Sequence, residues 1–137
     1  MTAALQSFFS GVPFLLGHFA VTLAMLAIGV ALYMRITPHD EMKLIREDNN
    51  AAAISLGGAI LGLAIPLAIC MANSVNVWDI IIWGVLTLVI QLITFKIIDA
   101  WLKDLPKRIE AGEVGTAILV ASIKLAVGAV NAAAVSG

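Results

Sequence analysis

Four long apolar runs alternate with short polar stretches along the chain. The runs cover about 13–34, 51–72, 78–98 and 114–135. Each is close to the roughly 20 residues that an α-helix needs to cross the hydrocarbon layer. The pattern predicts four transmembrane helices. A charged connector follows the first, a short uncharged turn the second, and another charged connector the third.

Local signals sharpen these bounds. Pro13 suits a first helical turn, and Arg35 closes the first span. Arg46-Glu47-Asp48-Asn49-Asn50 precedes the second span, and its last three residues are good N-cap types. Pro66 inside that span predicts a kink, which neighbouring helices tolerate in lipid. The short turn Asn73–Val77 makes spans two and three antiparallel neighbours. In the connector from Asp99 to Glu113, the stretch Trp101–Leu105 reads as a short interfacial helix. Leu5, Phe8, Phe9 and Val12 have helical spacing. They fit either a helix lying on the membrane or a frayed end of span one.

Composition supports the same class. Of 137 residues, 61% are hydrophobic and 12% charged. A soluble domain carries about a quarter charged residues, and a small one keeps too much surface to hide so many apolar groups. The expectation is an all-α protein, residues 1–137 forming a single transmembrane domain. Residues 1–12 hold no Lys or Arg, so the first run reads as a retained helix rather than a cleaved signal. Cys70 is the sole cysteine, which excludes an intrachain disulfide and suits a small buried hydrophobe.

The net charge of -1 hides an asymmetry. Arg35, Lys43 and Arg46 sit in the first connector, and Lys96, Lys103, Lys107 and Arg108 in or beside the second. The middle turn and both tails have none. The positive-inside rule then places both connectors in the cytoplasm and both termini outside, periplasmic or extracellular. Trp78 and Trp83 near the outer boundary, with Tyr33 and Trp101 near the inner one, agree.

The halves resemble each other. A shift of 64 residues aligns Lys43 with Lys107, Ile45 with Ile109, Ala53 with Ala117, Ile54 with Ile118 and Leu61 with Leu125. Each half is an inward helix, a charged connector and an outward helix, so the expectation is two parallel helical-hairpin repeats. The run Glu47-Asp48-Asn49-Asn50-Ala51-Ala52-Ala53-Ile54, followed by Gly57, Gly58 and Gly62, resembles the first half of the YjfL-like bacterial membrane proteins, the domain of unknown function number 350. The second half of that family commonly opens its last helix with Gly-Asn; here Gly112-Glu113 puts a glutamate at that place. The resemblance implies an inner (plasma) membrane location and four spans, and it implies no reaction.

Lys124 is the most informative residue for chemistry. It lies about 15 Å into span four, near the bilayer midplane, where a charge costs about 3 kcal/mol. Ala117, Gly128 and Asn131 share its helical face, so it points into the bundle. No carboxylate is expected at its depth; Gln91 and Thr87 are closer than Asp79. Lys124, Gln91, Asn131 and His18 form the candidate polar site, an ion or proton pathway or an intersubunit pair. The plain alternatives are a lysine that is neutral or snorkels along a groove and a histidine bonded between helices. His39-Asp40-Glu41 lacks zinc-site spacing, and no metal or cofactor is expected.

Gly58-x-x-x-Gly62 with Ser55-x-x-x-Ala59, and Gly128-x-x-x-Ala132 with Ala129-x-x-x-Ala133, are small-residue seams for close helix packing, within one chain or between subunits. Glu47, Asp48, Asn49 and Asn50 are helix caps or a partner site. No nucleophile elbow, phosphate loop or nucleic-acid stripe is present. The function expected from these features is an oligomerising structural or assembly component without catalytic activity, in the lipid bilayer, with a membrane or cytoplasmic protein partner. The alternative is a small ion channel or transporter with Lys124 lining the pathway.

Overall fold

The computed structural model describes all residues, 1–137. Its six helices are α1 (Thr2–Ile36), α2 (Glu41–Arg46), α3 (Asn50–Asn73), α4 (Val77–Trp101), α5 (Leu105–Glu110) and α6 (Val114–Ser136). The four long ones, α1, α3, α4 and α6, are long and apolar enough to cross a membrane. Consecutive long helices run antiparallel, so α3 and α6 point the same way. The short helices α2 and α5 lie in the two connectors at one end. The α3–α4 turn and both chain termini lie at the other.

α1 is longer than the first span. Pro13 sits inside it rather than in its first turn. A proline removes one backbone hydrogen bond, and the Ala3-Ala4-Leu5-Gln6 stretch before it favours helix strongly enough to continue. Residues 2–12 therefore extend the same helix. α3 likewise runs unbroken through Pro66, which is buried.

The caps explain where the elements begin. Asn49 is the N-cap of α3, its side chain accepting from Ala52 N–H. Asn76 and Asp79 form a reciprocal capping box at α4. The expected helix at Trp101–Leu105 is displaced. Trp101 ends α4, Asp104 takes a left-handed backbone (φ 57°), and the short helix starts at Leu105 with Pro106 in its first turn. A left-handed residue cannot sit inside a helix, and proline favours a helix start.

The most extensive pairing is α3 against α6. Added Cβ atoms show how close the backbones come. At Gly58 a Cβ would lie 2.5 Å from Ala121 Cα, and at Gly128 it would lie 2.6 Å from the Gly62 carbonyl oxygen. In lipid no hydrophobic force pulls helices together, so such close backbone packing supplies the attraction. The seams at Gly58, Gly62 and Gly128 thus act within this chain. α1 is attached most loosely, with 17% of its most apolar window buried.

This crossing makes a sharp prediction. Gly128→Ala forces a methyl group into backbone and should cost about 1–3 kcal/mol, the usual range for overpacking. Gly57→Ala meets nothing within 4 Å and should leave stability nearly unchanged. Thermal unfolding of both variants in detergent measures the difference.

Candidate functional site

Lys124 extends from the third turn of α6. Helical side chains lean toward the N-terminus of their helix, which for α6 is the connector end. The long stem therefore carries the ammonium from mid-bundle toward the connectors. There it donates to the Tyr33 hydroxyl at 2.7 Å and meets Asp99 Oδ1 at 2.8 Å. It also lies 4.6 Å from the Tyr33 ring centroid and 5.2 Å from that of Phe95. The two rings pack edge to face at 5.9 Å. Aromatic faces attract a cation most strongly where water is absent.

Gly62 makes room for this cluster. A Cβ there would lie 2.7 Å from the Phe95 ring and 2.8 Å from the Lys124 carbonyl oxygen. The small-residue seam and the polar site are thus one construction. Lys124 has no exposed side-chain surface, whereas 20% of the Asp99 side chain is exposed. A cavity of about 170 Å³ opens beside Asp99, lined also by Tyr33, Thr37, His39, Ser55 and Lys96. Asp99 faces the buried ammonium on one side and this cavity on the other.

A second polar layer lies farther from the connectors. Asn131 of α6 donates to Gln91 Oε1 of α4 at 2.9 Å and to the Thr87 carbonyl at 3.4 Å. Thr87 Oγ1 lies 3.5 Å from Cys70 Sγ of α3. Gln91 Nε2 is buried without a partner. At the turn end, a cavity of about 330 Å³ is lined by Cys70, Asn73, Ser74, Asp79, Trp83 and Val135. Polar groups therefore recur inside the bundle from one end to the other, with Phe95 between the two buried layers.

Residues 7–135 match the family described as Domain of Unknown Function (DUF350). The chain belongs to this family. It is 34% identical over 116 residues to the UPF0719 inner membrane protein YjfL of Escherichia coli strain K12, covering 85% of this chain and 88% of the relative. The YjfL of Escherichia coli O157:H7 matches to the same extent. No solved structure matches the chain. With its four candidate spans, this DUF350 member is an inner membrane protein.

The DUF350 chain groups the sequence candidates differently from expectation. Lys124 does not join Gln91 and Asn131, which bond to each other. The expectation that no carboxylate shares the depth of Lys124 is corrected by Asp99. That expectation compared backbone positions, and the lean of the lysine stem closes the gap. His18 is buried, but its Nδ1 lies 2.9 Å from the carbonyl oxygen of Phe14, one turn earlier. It has no hydrogen bond to another helix, because its ring folds back along its own. The site also takes in Asp99, together with Tyr33, Ser55, His39 and Glu41, which the sequence marks only as an interfacial aromatic, a seam residue and parts of a run without zinc-site spacing. No three His, Cys, Asp or Glu side chains stand close enough to hold a metal ion.

At the connector end, Glu47, Asp48 and Asn50 are exposed. Asn49 caps α3 and also donates to the carbonyls of Ile109, at 2.9 Å, and Glu110, at 3.4 Å. One amide thus ties the two connectors together. Glu113, at the start of α6, instead accepts from Arg108 at 2.6 Å and Thr116 at 2.8 Å. These bonds, Arg108 first, hold its carboxyl below the ordinary value.

A depressed carboxyl value adds stability above the unfolded value and loses it as pH falls through the folded one. Glu113→Gln should therefore lower the unfolding temperature slightly near neutrality and leave it unchanged in acid. Melting curves over a pH series in detergent read this flattening.

Proposed function

We propose that the chain moves protons across the inner membrane, with Asp99 and Lys124 as the working pair. One observation carries this reading: the wholly buried Lys124 ammonium is paired at 2.8 Å with a carboxylate that itself faces a cavity. Ionisable side chains inside a membrane are costly and mark ion or proton pathways by default. A buried ion pair is also a poor stabiliser, since well-packed apolar residues often do better. The Gln91–Asn131–Thr87 layer and the outer cavity continue the polar interior toward the other face. The reading makes the chain a transporter or channel and not an enzyme. No paired nucleophile and base supports catalysis.

The proposal includes the orientation. Seven basic residues at the connector end support placing that end in the cytoplasm and both termini outside. It also includes an internal duplication of two parallel hairpins. α2 and α5 each have six residues and stand 64 positions apart, as do the starts of α3 and α6. Asp48 (φ 61°) and Gly112 (φ 80°) repeat a left-handed backbone at the same offset.

The second reading is an oligomerising assembly component. It is favoured by α1, whose apolar surface is largely uncovered by the rest of the chain. The seams at Gly58, Gly62 and Gly128 do not support it, because they pack α3 against α6, whereas Ala129 and Ala133 are exposed.

Purified protein in liposomes enclosing a pH-sensitive dye tests the first reading. Wild type should acidify the lumen under an imposed potential. Asp99→Asn leaves Lys124 uncompensated and should slow this about a hundredfold, the rate equivalent of about 3 kcal/mol. Lys124→Met should slow it comparably. Equal rates in all three proteins would refute the assignment. Silence of the wild type, with a stable oligomer on native gels, would favour the assembly reading. Orientation is checked separately in a Cys70→Ala background. Cysteines at Asp40 and Lys103 should react with an impermeant maleimide only in inside-out vesicles.

A further inference from the structure

The first connector buries two titratable side chains that the transport reading leaves unused. His39 is 5% exposed and Glu41 2%. Asp40 is the N-cap of α2, accepting from Lys43 N–H, and Glu41 is the first helical residue. His39 Nε2 stands 3.4 Å from Glu41 Oε1, within range of an ion pair. Neither carboxylate oxygen of Glu41 accepts a hydrogen bond, and neither ring nitrogen of His39 makes one. A bare buried carboxylate is strongly disfavoured. The pair therefore calls for one proton, on the carboxyl or on the facing imidazole.

Its position suits delivery. His39 lines the cavity that Asp99, Tyr33 and Ser55 share. It also lines a second, more open cavity of about 240 Å³ with Met34, Asp40 and Glu41. The pair thus stands between the water at the connector end and Asp99. The charged and titratable neighbours are Tyr33 from α1, Asp40 beside the pair, Lys96 and Asp99 from α4, and Lys124 of α6 behind Asp99. α3 contributes the Ser55 hydroxyl, and α5 contributes only Leu105 and Pro106. Lys96 donates to the Ile36 carbonyl at 3.1 Å and forms no ion pair with Glu41.

We propose that His39 and Glu41 share one proton and form the loading site that passes it to Asp99. The proposal rests on the transport reading and adds its first step. The O–H bond of Glu41 breaks as an N–H bond forms on the facing His39 nitrogen, leaving a carboxylate beside an imidazolium. His39, which lines the cavity with Asp99, then gives up a proton: an N–H bond breaks as an O–H bond forms on Asp99, and the electron pair stays on nitrogen. Nothing is oxidised or reduced, and imidazole can make this exchange near neutral pH.

Histidine side-chain NMR in nanodiscs reads the shared proton directly. The chain has two histidines, so His18→Gln assigns the His39 signal. Wild type should show a His39 ring N–H proton held in a strong hydrogen bond, Glu41→Gln should lose that signal, and Glu41→Asp should keep most of it. In liposomes, His39→Gln and Glu41→Gln should both slow proton uptake, with Glu41→Asp retaining part of it. An unchanged His39 ring N–H signal in Glu41→Gln overturns the shared proton, whatever the fluxes show. Wild-type uptake rates in both variants overturn the loading role. A wild type silent in liposomes sinks the transport reading instead, and loss of the His39 N–H signal in Glu41→Gln would then still support the shared proton.

Discussion

Two helices pressed backbone to backbone set the terms for everything else in this bundle. Gly62 and Gly128 bring α3 and α6 so close that neither position has space for a methyl group. The attraction is packing, since lipid is as apolar as the side chains it would replace. The contact also fixes where Lys124 leaves α6. Its carbonyl lies against Gly62, and Phe95 fills the space that the missing side chain leaves.

Once α6 is fixed, the site follows from direction and reach. The side chain must lean toward the connector end. It meets α1 through Tyr33 and α4 through Asp99, so the ammonium joins three of the four long helices. This explains how a loosely attached α1 is held near its last turns. It also means that the charge is compensated by groups from different elements, none of which is close to Lys124 in sequence.

The fold was legible because it depends on patterns of local range. Apolar runs of membrane length, Asn49 before α3 and the glycine spacings are each readable within a few residues. The site was half legible. Lys124, Gln91 and Asn131 announce themselves as polar residues in apolar runs. Asp99 does not, since it stands at the end of a span, where an acid is unremarkable. Its pairing depends on the lean of a side chain on another helix. Pro106 did carry a readable signal for the start of α5, and weighing it over Trp101 would have placed that helix correctly. Glu41 and His39 look like ordinary connector residues, and only the packing of both connectors against the bundle buries them.

The two connectors allow a comparison that bears on why Glu41 is buried. α2 and α5 have the same length, the same offset from the following long helix and a left-handed residue at the same place between, Asp48 or Gly112. The first residue of each is buried: Glu41 at 2% exposure and Leu105 at 3%. Leu105 shows that this position accepts an apolar side chain and can be filled by packing alone. Glu41 occupies the matching place with a group that desolvation disfavours. Packing therefore gives no reason for a carboxyl there, whereas a proton-binding role beside His39 does. The same contrast holds at the next level inward. Ile60 stands 64 residues before Lys124 and is only half-buried, whereas Lys124 is wholly buried. If burial simply followed hydrophobicity, Ile60 would be buried more deeply than Lys124. Each matched pair thus buries a polar side chain where its counterpart is apolar, once in each half, and the proposed proton path, unlike packing, would give both polar groups a use.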